Sequence, residues 1–598
     1  MANKIYMVAD TENTNTNPSK TYAAGFKVLG ENVLHIQNNL DDFFKELIEY
    51  GNCNVWFHNL TYDGSFVIDW LLKHGYKYTQ LTKSGSIPKE AVKSFGGIID
   101  GSLTIYKIVI RTEKGIIQMK DTFRIVTGSL EEIGEAFNCK TKKLSGTVDY
   151  DDPKFSSDDY NIFNDEITLK YFQHDLELTA EILEIIIEEG FSKKLTIASN
   201  ALERFKDIFY NKPNEVGSKY YKKNRDEHFR LFFPELCKQE DNSVRQAYRG
   251  GWCYNNTDSL PYANARGAIK GEYHKMEMGY VYDVNSLYPS VMLSPYKYPI
   301  GHGKWISGNE LKVDKNKFYV YHLNVTFTLK ENHLPFIQIK NSMSFLPNEF
   351  VKSGVCEDIW LCTPDYELFH EQYDIEYEDI IGVYEYSAVT GLFDSYVMTM
   401  YEGKKNSKGA KRQFYKYLLN SLYGRFGMRI ENYSAEPYIS DEDNAVHYNL
   451  VKEECEGVYI PVAVAVTAYG RGVTVRAAQA NYDNFLYSDT DSIHLSKPAV
   501  GIDVDPSKIG AWDNEDTFTK ARYIRQKTYI ELCNKGDKKK WTVKACGLPK
   551  QAKNYFIATA KKDIINQFQK GLVISDKKLR RQRVEGGTIL TLTDFSIR

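Results

Sequence analysis

Hydrophobic positions along the first 195 residues switch between two periods. Residues 5–9 and 55–58 are short runs of β-formers and read as strands. Phe66, Val67, Trp70 and Leu71 recur at helical spacing, as do the apolar positions of 171–187. That alternation predicts an α/β unit. Residues 198–209 read as a helix, and the polar, charged stretch 211–227 as a connection. Further on, 280–282, 319–327, 335–340 and 379–386 have strand character, and 411–424 form a basic amphipathic helix. Residues 459–466 are apolar throughout but too few to span a bilayer. Phe485-Leu486 and Ile493-His494-Leu495 read as two short apolar strands meeting at an acidic corner, Asp489-Thr490-Asp491.

That corner is where chemistry first suggests itself. Residues two apart on a strand share a face, so Asp489 and Asp491 are expected side by side, a costly arrangement unless cations neutralise it. An Asp-x-Asp turn is usually only solvated. This one has β-formers on both sides, and a third carboxylate, Asp283, directly follows the apolar run 280–282. Convergence of Asp283 with Asp491 would hold two Mg²⁺ ions about 3.5–4 Å apart, the arrangement used for in-line phosphoryl transfer. The spacing recurs at Asp10-Thr11-Glu12, again after a strand. Asp63 alone reads as a helix cap, and Tyr171 with Asp175 as a neighbouring pair on one helix face. Tyr248-Arg249-Gly250-Gly251 offers two glycines for a sharp turn or a close approach to a ligand. Lys416, Asn420 and Tyr423 form one stripe of the basic helix.

Composition narrows the class. With 598 residues and 42% hydrophobic content, roughly four structural units with large cores are expected. The nine cysteines are scattered with no Cys-x-x-Cys, which indicates neither a disulfide framework nor a zinc site and suits a reduced, cytoplasmic setting. No signal peptide is expected. Net charge is −3, yet residues 521–598 carry 19 Lys and Arg against 6 Asp and Glu. A basic C-terminal segment on an acidic body is what phosphate-backbone binding combined with metal-binding carboxylates would produce.

Asp283-Val284-Asn285-Ser286-Leu287-Tyr288-Pro289-Ser290 followed by Tyr487-Ser488-Asp489-Thr490-Asp491-Ser492 resembles two motifs of the family B DNA polymerases. The order of the remaining motifs, from residue 10 to residue 529, resembles the protein-primed, phi29-like phage branch. The resemblance implies an α/β multidomain fold, with an RNase-H-like 3′→5′ exonuclease domain (1–195) joined to a right-hand polymerase. Its parts would be palm (196–334 and 459–555), fingers (393–428) and thumb (556–598). Two insertions would interrupt it: 335–392, contacting the priming protein and DNA, and 429–458, closing a ring around the template for processivity and strand displacement.

The same resemblance assigns roles. At the polymerase site, Asp283, the Val284 carbonyl and Asp491 would ligate metal, with Asp489 tuning the site from behind. Tyr288 would exclude the ribose 2′-hydroxyl. Lys404, Lys411, Lys416, Asn420 and Tyr423 would hold the deoxynucleoside triphosphate. Tyr248, Gly250, Gly251, Ser421, Gly424, Thr467 and Arg471 would contact template, and Lys527 and Tyr529 the primer end. At the exonuclease site, Asp10, Glu12, Asp63 and Asp175 would hold two more Mg²⁺ ions, with Mn²⁺ as a substitute, and Tyr171 would place the attacking water. Asn59, Tyr62, Thr122, Phe123 and Tyr150 would hold a frayed single strand. Thr11, Asn13 and Ser145 depart from the family pattern, leaving Lys142 or Lys143 to supply its exonuclease lysine. The implied partners are template-primer DNA, dNTPs and a terminal protein, and the implied setting is the cytoplasm of an infected, bacterial host. The rival readings are a family B polymerase primed by nucleic acid, an inactive replication scaffold, and a reverse transcriptase or RNA polymerase. The last would need neither the exonuclease cluster nor Tyr288.

Overall fold

The computed structural model describes residues 5–597, apart from 83, 145, 147, 150–151, 257–272, 340–349, 456, 537 and 561–562. Among the described residues the N-terminal unit is built on an eight-stranded sheet. Ile5–Asn13 lies inside it, antiparallel to Thr21–Val28 and parallel to Cys53–Phe57, a strand buried at every position. A strand buried on both faces loses the period-2 pattern, which is why 53–57 is apolar almost throughout. Helix Glu166–Glu188 packs on the central strand; Asp165 caps it by accepting from the Thr168 N–H (3.2 Å). Helix Leu60–Lys73 starts at Asn59, which is left-handed (φ 75°) and makes no side-chain cap.

A second, antiparallel sheet of seven strands carries the acidic corner. Tyr273–Val284 sits at its centre between Ser492–Leu495 and Trp512–Arg525, with Asp283 opposite Ser492 on one side and Asp513 on the other. Behind it runs helix Ile460–Ala480, buried at every residue from 460 to 468. Its first two turns are apolar on every side, which belongs in a core, and no helix among the described residues is long and apolar enough to cross a membrane.

A four-stranded sheet joins Tyr298–Ser307, Tyr373–Val389, Lys317–Leu329 and Ser353–Cys362. The boundary expected at residue 334 therefore cuts through one sheet, because antiparallel pairing binds strands on both sides of it. Residues 335–339 are not a strand. Their backbone is satisfied by side chains instead: Tyr373 OH accepts from the N–H groups of Phe336 (3.0 Å) and Ile337 (3.2 Å), and Trp252 Nε1 donates to the Pro335 carbonyl (3.0 Å). Nor is 211–227 a simple connection, since helix Tyr221–Phe232 begins inside it and buries Phe229 and Arg225, the latter paired with Asp207 and Glu203.

Helices Asp394–Asn406 and Gly409–Phe426 form a hairpin whose second helix packs on helices Ile197–Tyr210 and Ile460–Ala480. Two β-hairpins follow, Glu431–Ile439 with Val446–Glu454, and Val573–Val584 with Gly587–Ser596. Both reach back to the N-terminal unit. Ser434 bridges Asp100, and Gln80 donates to Glu436 (2.8 Å). The C-terminal turn wedges in beside them: the Ser19 N–H donates to the Glu585 carbonyl (2.9 Å), and Glu585 also meets Lys73 and Asn444. Gly586 (φ 90°) lies so close that a Cβ would stand 2.0 Å from the Ser19 carbonyl oxygen. Only glycine fits there.

Candidate active sites

Asp283 is the last residue but one of its strand, and the next residue ties that strand to the acidic corner: the Val284 N–H donates to the Asp491 carbonyl (2.8 Å). The two carboxylates that the sequence scatters over two hundred residues are thereby brought together, Asp283 on a strand and Asp491 in the turn just before the neighbouring strand, whose backbone lies about 5 Å away. The corner is a tight turn with Thr490 left-handed (φ 65°). Its conformation is held from three sides. The Thr490 N–H donates to Trp252 O (2.8 Å), its carbonyl accepts from the Thr474 hydroxyl (2.8 Å), and a Cβ on Gly251 would come within 2.5 Å of the Thr490 methyl. A side chain at Gly251 would thus strike the corner, whereas Gly250 has open space around it.

Asp489 and Asp491 do not share a strand face. Asp489 is the last residue of Phe485–Asp489 and Asp491 lies in the turn, so the alternation rule stops between them. Asp491 joins Asp283 on the wall of a cavity of about 810 Å³. Asp489 turns to the other side, where it accepts from Lys527 Nζ (2.5 Å) and Cys253 Sγ (3.1 Å). Burial, then Asp491, Glu515 and Asp513 in that order, push the Asp283 carboxyl up to about 8, and burial raises Asp491. Charges held so close together are a site built for cations.

The opposite wall of the 810 Å³ cavity is basic: Lys404, Lys405, Arg412 and Lys416, with Asn420, Tyr423 and Tyr288 between the two walls. Burial and the neighbouring Arg412 and Lys416 lower the Lys404 pKa, which marks an end of the cavity that attracts anions. Arg412 lies one turn before Lys416 and therefore shares its stripe; Lys411, rotated by a further 100°, is exposed and lies off the cavity wall. Arg412 and Lys405 are the cations that the sequence reading missed. The rings of Tyr288 and Tyr423 stand 4.4 Å apart, and Gly470 makes room for Tyr288, since a Cβ there would approach it to 3.0 Å. Ser421 and Gly424 line an adjoining groove of about 380 Å³ that shares Asn420 and Tyr423 with the first cavity. Tyr248 points its hydroxyl at Gly427, at the end of the same helix.

Thr467 and Arg471 are not surface contacts. Each is 2% exposed. The Thr467 hydroxyl bonds back to the Ala463 carbonyl (3.1 Å). Arg471 Nη1 donates to the carbonyls of Arg249 and Gly250 (2.7 Å each), while Nε and Nη2 hold Asp365 (3.2 and 2.5 Å). Arg471 therefore fixes the Tyr-Arg-Gly-Gly turn from behind, through a buried ion pair with a residue far away in sequence. Lys527 and Tyr529 sit on the far side of Asp283 and border a second cavity of about 600 Å³; Tyr529 is 8% exposed, its ring packed 5.0 Å from Tyr487.

The second carboxylate cluster lies in the N-terminal unit. Asp10 and Glu12 share a face of Ile5–Asn13, and Asp175 comes down from helix Glu166–Glu188, so that all three offer oxygens within 4.8 Å of one another. Asp63 is no cap: it is buried and accepts the Thr11 hydroxyl (2.7 Å), and Asn13 in turn donates to that hydroxyl oxygen (2.9 Å). The departures at residues 11 and 13 thus tie Asp63 to the strand that carries Asp10 and Glu12. Lys143 is the lysine of this site. Its Nζ donates to Tyr171 OH (2.8 Å) and pairs with Asp175, while His174 holds the Lys142 carbonyl (3.0 Å). Asp175 Oδ1 is buried and accepts no hydrogen bond from the described residues, an atom whose partner would be a cation. Burial and mutual repulsion raise Glu12 to about 8 and hold Asp10 well above the carboxylate range; burial raises Asp63 to about 7.

Around this cluster, Tyr62 packs on Phe66, and Phe123 stands edge-on to His58 (5.6 Å). Thr122 is fully buried, donating to Phe57 O and holding His58, so it braces the wall and does not contact a strand. Asn59 Oδ1 accepts from Arg581 of the C-terminal hairpin (3.3 Å). Tyr150 and Ser145 lie outside the described residues.

These raised carboxyls make a prediction. Their contribution to stability is fully present below the unfolded values near 4 and is lost as pH rises toward about 8, because the folded protein must then hold repelling charges. A divalent cation competes with those protons. Thermal melts with and without Mg²⁺ are expected to show a larger cation-induced rise in Tm at about pH 8 than at about pH 6. Equal rises would mean that these carboxylates do not bind the ion.

A family model described as DNA polymerase type B, organellar and viral, matches residues 45–508. The DNA polymerase of Bacillus phage phi29 is 33% identical over 548 residues, covering 89% of this chain and 87% of the relative. That of Bacillus phage B103 is 30% identical with both chains wholly covered, and that of Streptococcus phage Cp-1 is 29% identical over 94% of this chain and 92% of the relative. The solved structure of phi29 DNA polymerase complexed with primer-template DNA superposes with a TM-score of 0.85 at 29% identity, covering all of both chains. The same protein complexed with single-stranded DNA gives 0.84.

Proposed function

We infer, since the chain belongs to the organellar and viral type B DNA polymerases and is a DNA-directed DNA polymerase, that it copies a linear viral genome from a protein primer and trims its own errors at a second site. The observation that carries the reading is the presence of two separate carboxylate centres, Asp283 with Asp491 and Asp10 with Glu12 and Asp175. The family is metal-dependent, and Mg²⁺ fits both donor sets, which are all hard oxygen. Bound there, it would neutralise the carboxylates and polarise phosphate oxygens.

The chain's own residues supply the rest. Lys404, Lys405, Arg412 and Lys416 face the carboxylates across the first cavity and would grip the triphosphate; Asn420 and Tyr423 would bracket sugar and base. Lys527, on the other side of Asp283, would hold the primer end. At the second centre Lys143 fixes the Tyr171 hydroxyl, which would orient water toward a 3′-terminal phosphate. The two hairpins that meet the N-terminal unit would enclose DNA and keep the enzyme on its template. The strand Val573–Val584, with Lys577, Lys578, Arg580, Arg581 and Arg583, would grip backbone without reading sequence. The four-stranded sheet between the two carboxylate motifs would dock the priming protein. Action in the cytoplasm of an infected bacterium suits the phage relatives.

Tyr288 packs against Tyr423 over Gly470 and would fill the space a 2′-hydroxyl needs. Tyr288→Val is expected to raise ribonucleotide incorporation by roughly 10- to 100-fold, the range of pocket-based discrimination, measured as the ratio of kcat/KM for rNTP and dNTP. An unchanged ratio would remove Tyr288 from that role. Protein priming is tested by incubating the enzyme with Mg²⁺, labelled dATP and a lysate of its infected host. A labelled protein band is expected; label found only in DNA would favour nucleic-acid priming.

A further inference from the structure

We propose that Glu531 is a positioning residue for the primer end, acting through Lys527; the inference rests on Lys527 holding the primer. Glu531 is 2% exposed at the floor of the 600 Å³ cavity. A carboxylate buried there is not mere filler: removing it alone would strip His494 and the Tyr523 hydroxyl of their buried acceptor. What it adds is geometry. Its Oε1 meets His494 Nδ1 (2.6 Å), three residues past Asp491, and accepts from Tyr523 OH (2.5 Å), on the strand that leads into Lys527. One oxygen thereby ties three strands together: Ser492–Leu495, Trp512–Arg525 and Thr528–Lys535.

The link to the primer runs through rings. Tyr523 stacks on Tyr487 (5.1 Å, 12°), and the Tyr487 hydroxyl accepts from the Lys527 N–H (2.8 Å). Lys527 is left-handed (φ 56°), a backbone state that a non-glycine residue keeps only when its surroundings hold it. Its Nζ then reaches Asp489 (2.5 Å). Glu531 sets Tyr523, Tyr523 sets Tyr487, and Tyr487 sets the lysine beside the carboxylates. Misplacing that lysine slows nucleotide addition while leaving the basic wall of the nucleotide cavity in place: the two cavities share Asp283, Asp491 and Glu515, but Lys527 lines only the second.

The test is a mutant cycle on full-length enzyme with a primed template. Glu531→Leu is expected to lower kcat for extension by roughly 10- to 100-fold, as loss of a supporting partner does, with the dNTP KM and degradation of single-stranded DNA unchanged. Glu531→Gln, which keeps the acceptor oxygen, should restore most of the rate. The double variant Glu531→Leu, Lys527→Ala should be no slower than Lys527→Ala alone, because one pathway cannot be broken twice. Additive losses, a Glu531→Gln as slow as Glu531→Leu, or a parallel fall in degradation would overturn the proposal. Should Glu531→Leu fold poorly, Tyr523→Phe, which removes only the hydroxyl, tests the same step, and a normal rate there counts against it. Lys527→Ala extending at the normal rate would bring down the primer reading and this inference with it. An impaired Lys527→Ala beside a normal Glu531→Leu would bring down this inference alone.

Discussion

Asp491→Asn is expected to abolish nucleotide addition, by about 10³-fold or more in kcat, while 3′-end degradation of single-stranded DNA continues at its normal rate. The size follows from what the carboxylate holds. A metal-stabilised transition state draws several kcal/mol from its ligands, and each 1.36 kcal/mol is tenfold in rate. Asparagine keeps the shape of the turn, where the Asp491 carbonyl accepts from the Val284 N–H, but removes the charge facing Asp283. The same change should raise the Tm of metal-free protein, because the repulsion that helps push Asp283 up to about 8 is relieved. Extension of a labelled primer, degradation of a labelled single strand and a melt without metal check all three. Loss of both activities would show that the two centres are not independent.

The mirror experiment is Asp10→Ala with Glu12→Ala. Degradation of single-stranded DNA is expected to fall by about 10³-fold or more for the same reason, with primer extension intact. Degradation should no longer respond to Lys143→Ala in that background, since Lys143 acts by fixing Tyr171 and Asp175 around the centre that has been dismantled. The two centres share no residue. Asp10, Glu12 and Asp175 belong to the first sheet and its packed helix, Asp283 to the second sheet and Asp491 to a turn between two of its strands. Unchanged degradation would refute the assignment of the cluster.

Much of both centres was legible before any fold was known. Charged residues placed directly after apolar runs, as at Asp10, Asp283 and Asp489–Asp491, are conspicuous because a strand end must either be solvated or do something with that charge. The helical stripe of Lys416, Asn420 and Tyr423 was legible for a similarly local reason, and the same 100° geometry would have chosen Arg412 over Lys411 had the stripe been followed one turn further back. Motif resemblance was less safe for single side chains. It placed Thr467, Arg471 and Thr122 against DNA, and burial removes all three from any surface. A buried arginine looks the same in sequence as one that grips phosphate; the difference is Asp365, 106 residues away.

By itself, then, the amino-acid order determined the chemistry: which carboxylates, cations and rings occur after which strands and along which helix face, all consequences of periods of 2 and 3.6 residues acting over a few neighbours. Tertiary structure alone decided pairing at long range. Only the folded chain pairs Asp489 with Lys527, selects Lys143 over Lys142, lets Thr11 hold Asp63, and buries Glu531 between His494 and Tyr523. The reason is that a hydrogen bond or ion pair acts over about 3 Å, and local sequence does not say which distant residue the sheet register will bring within that reach.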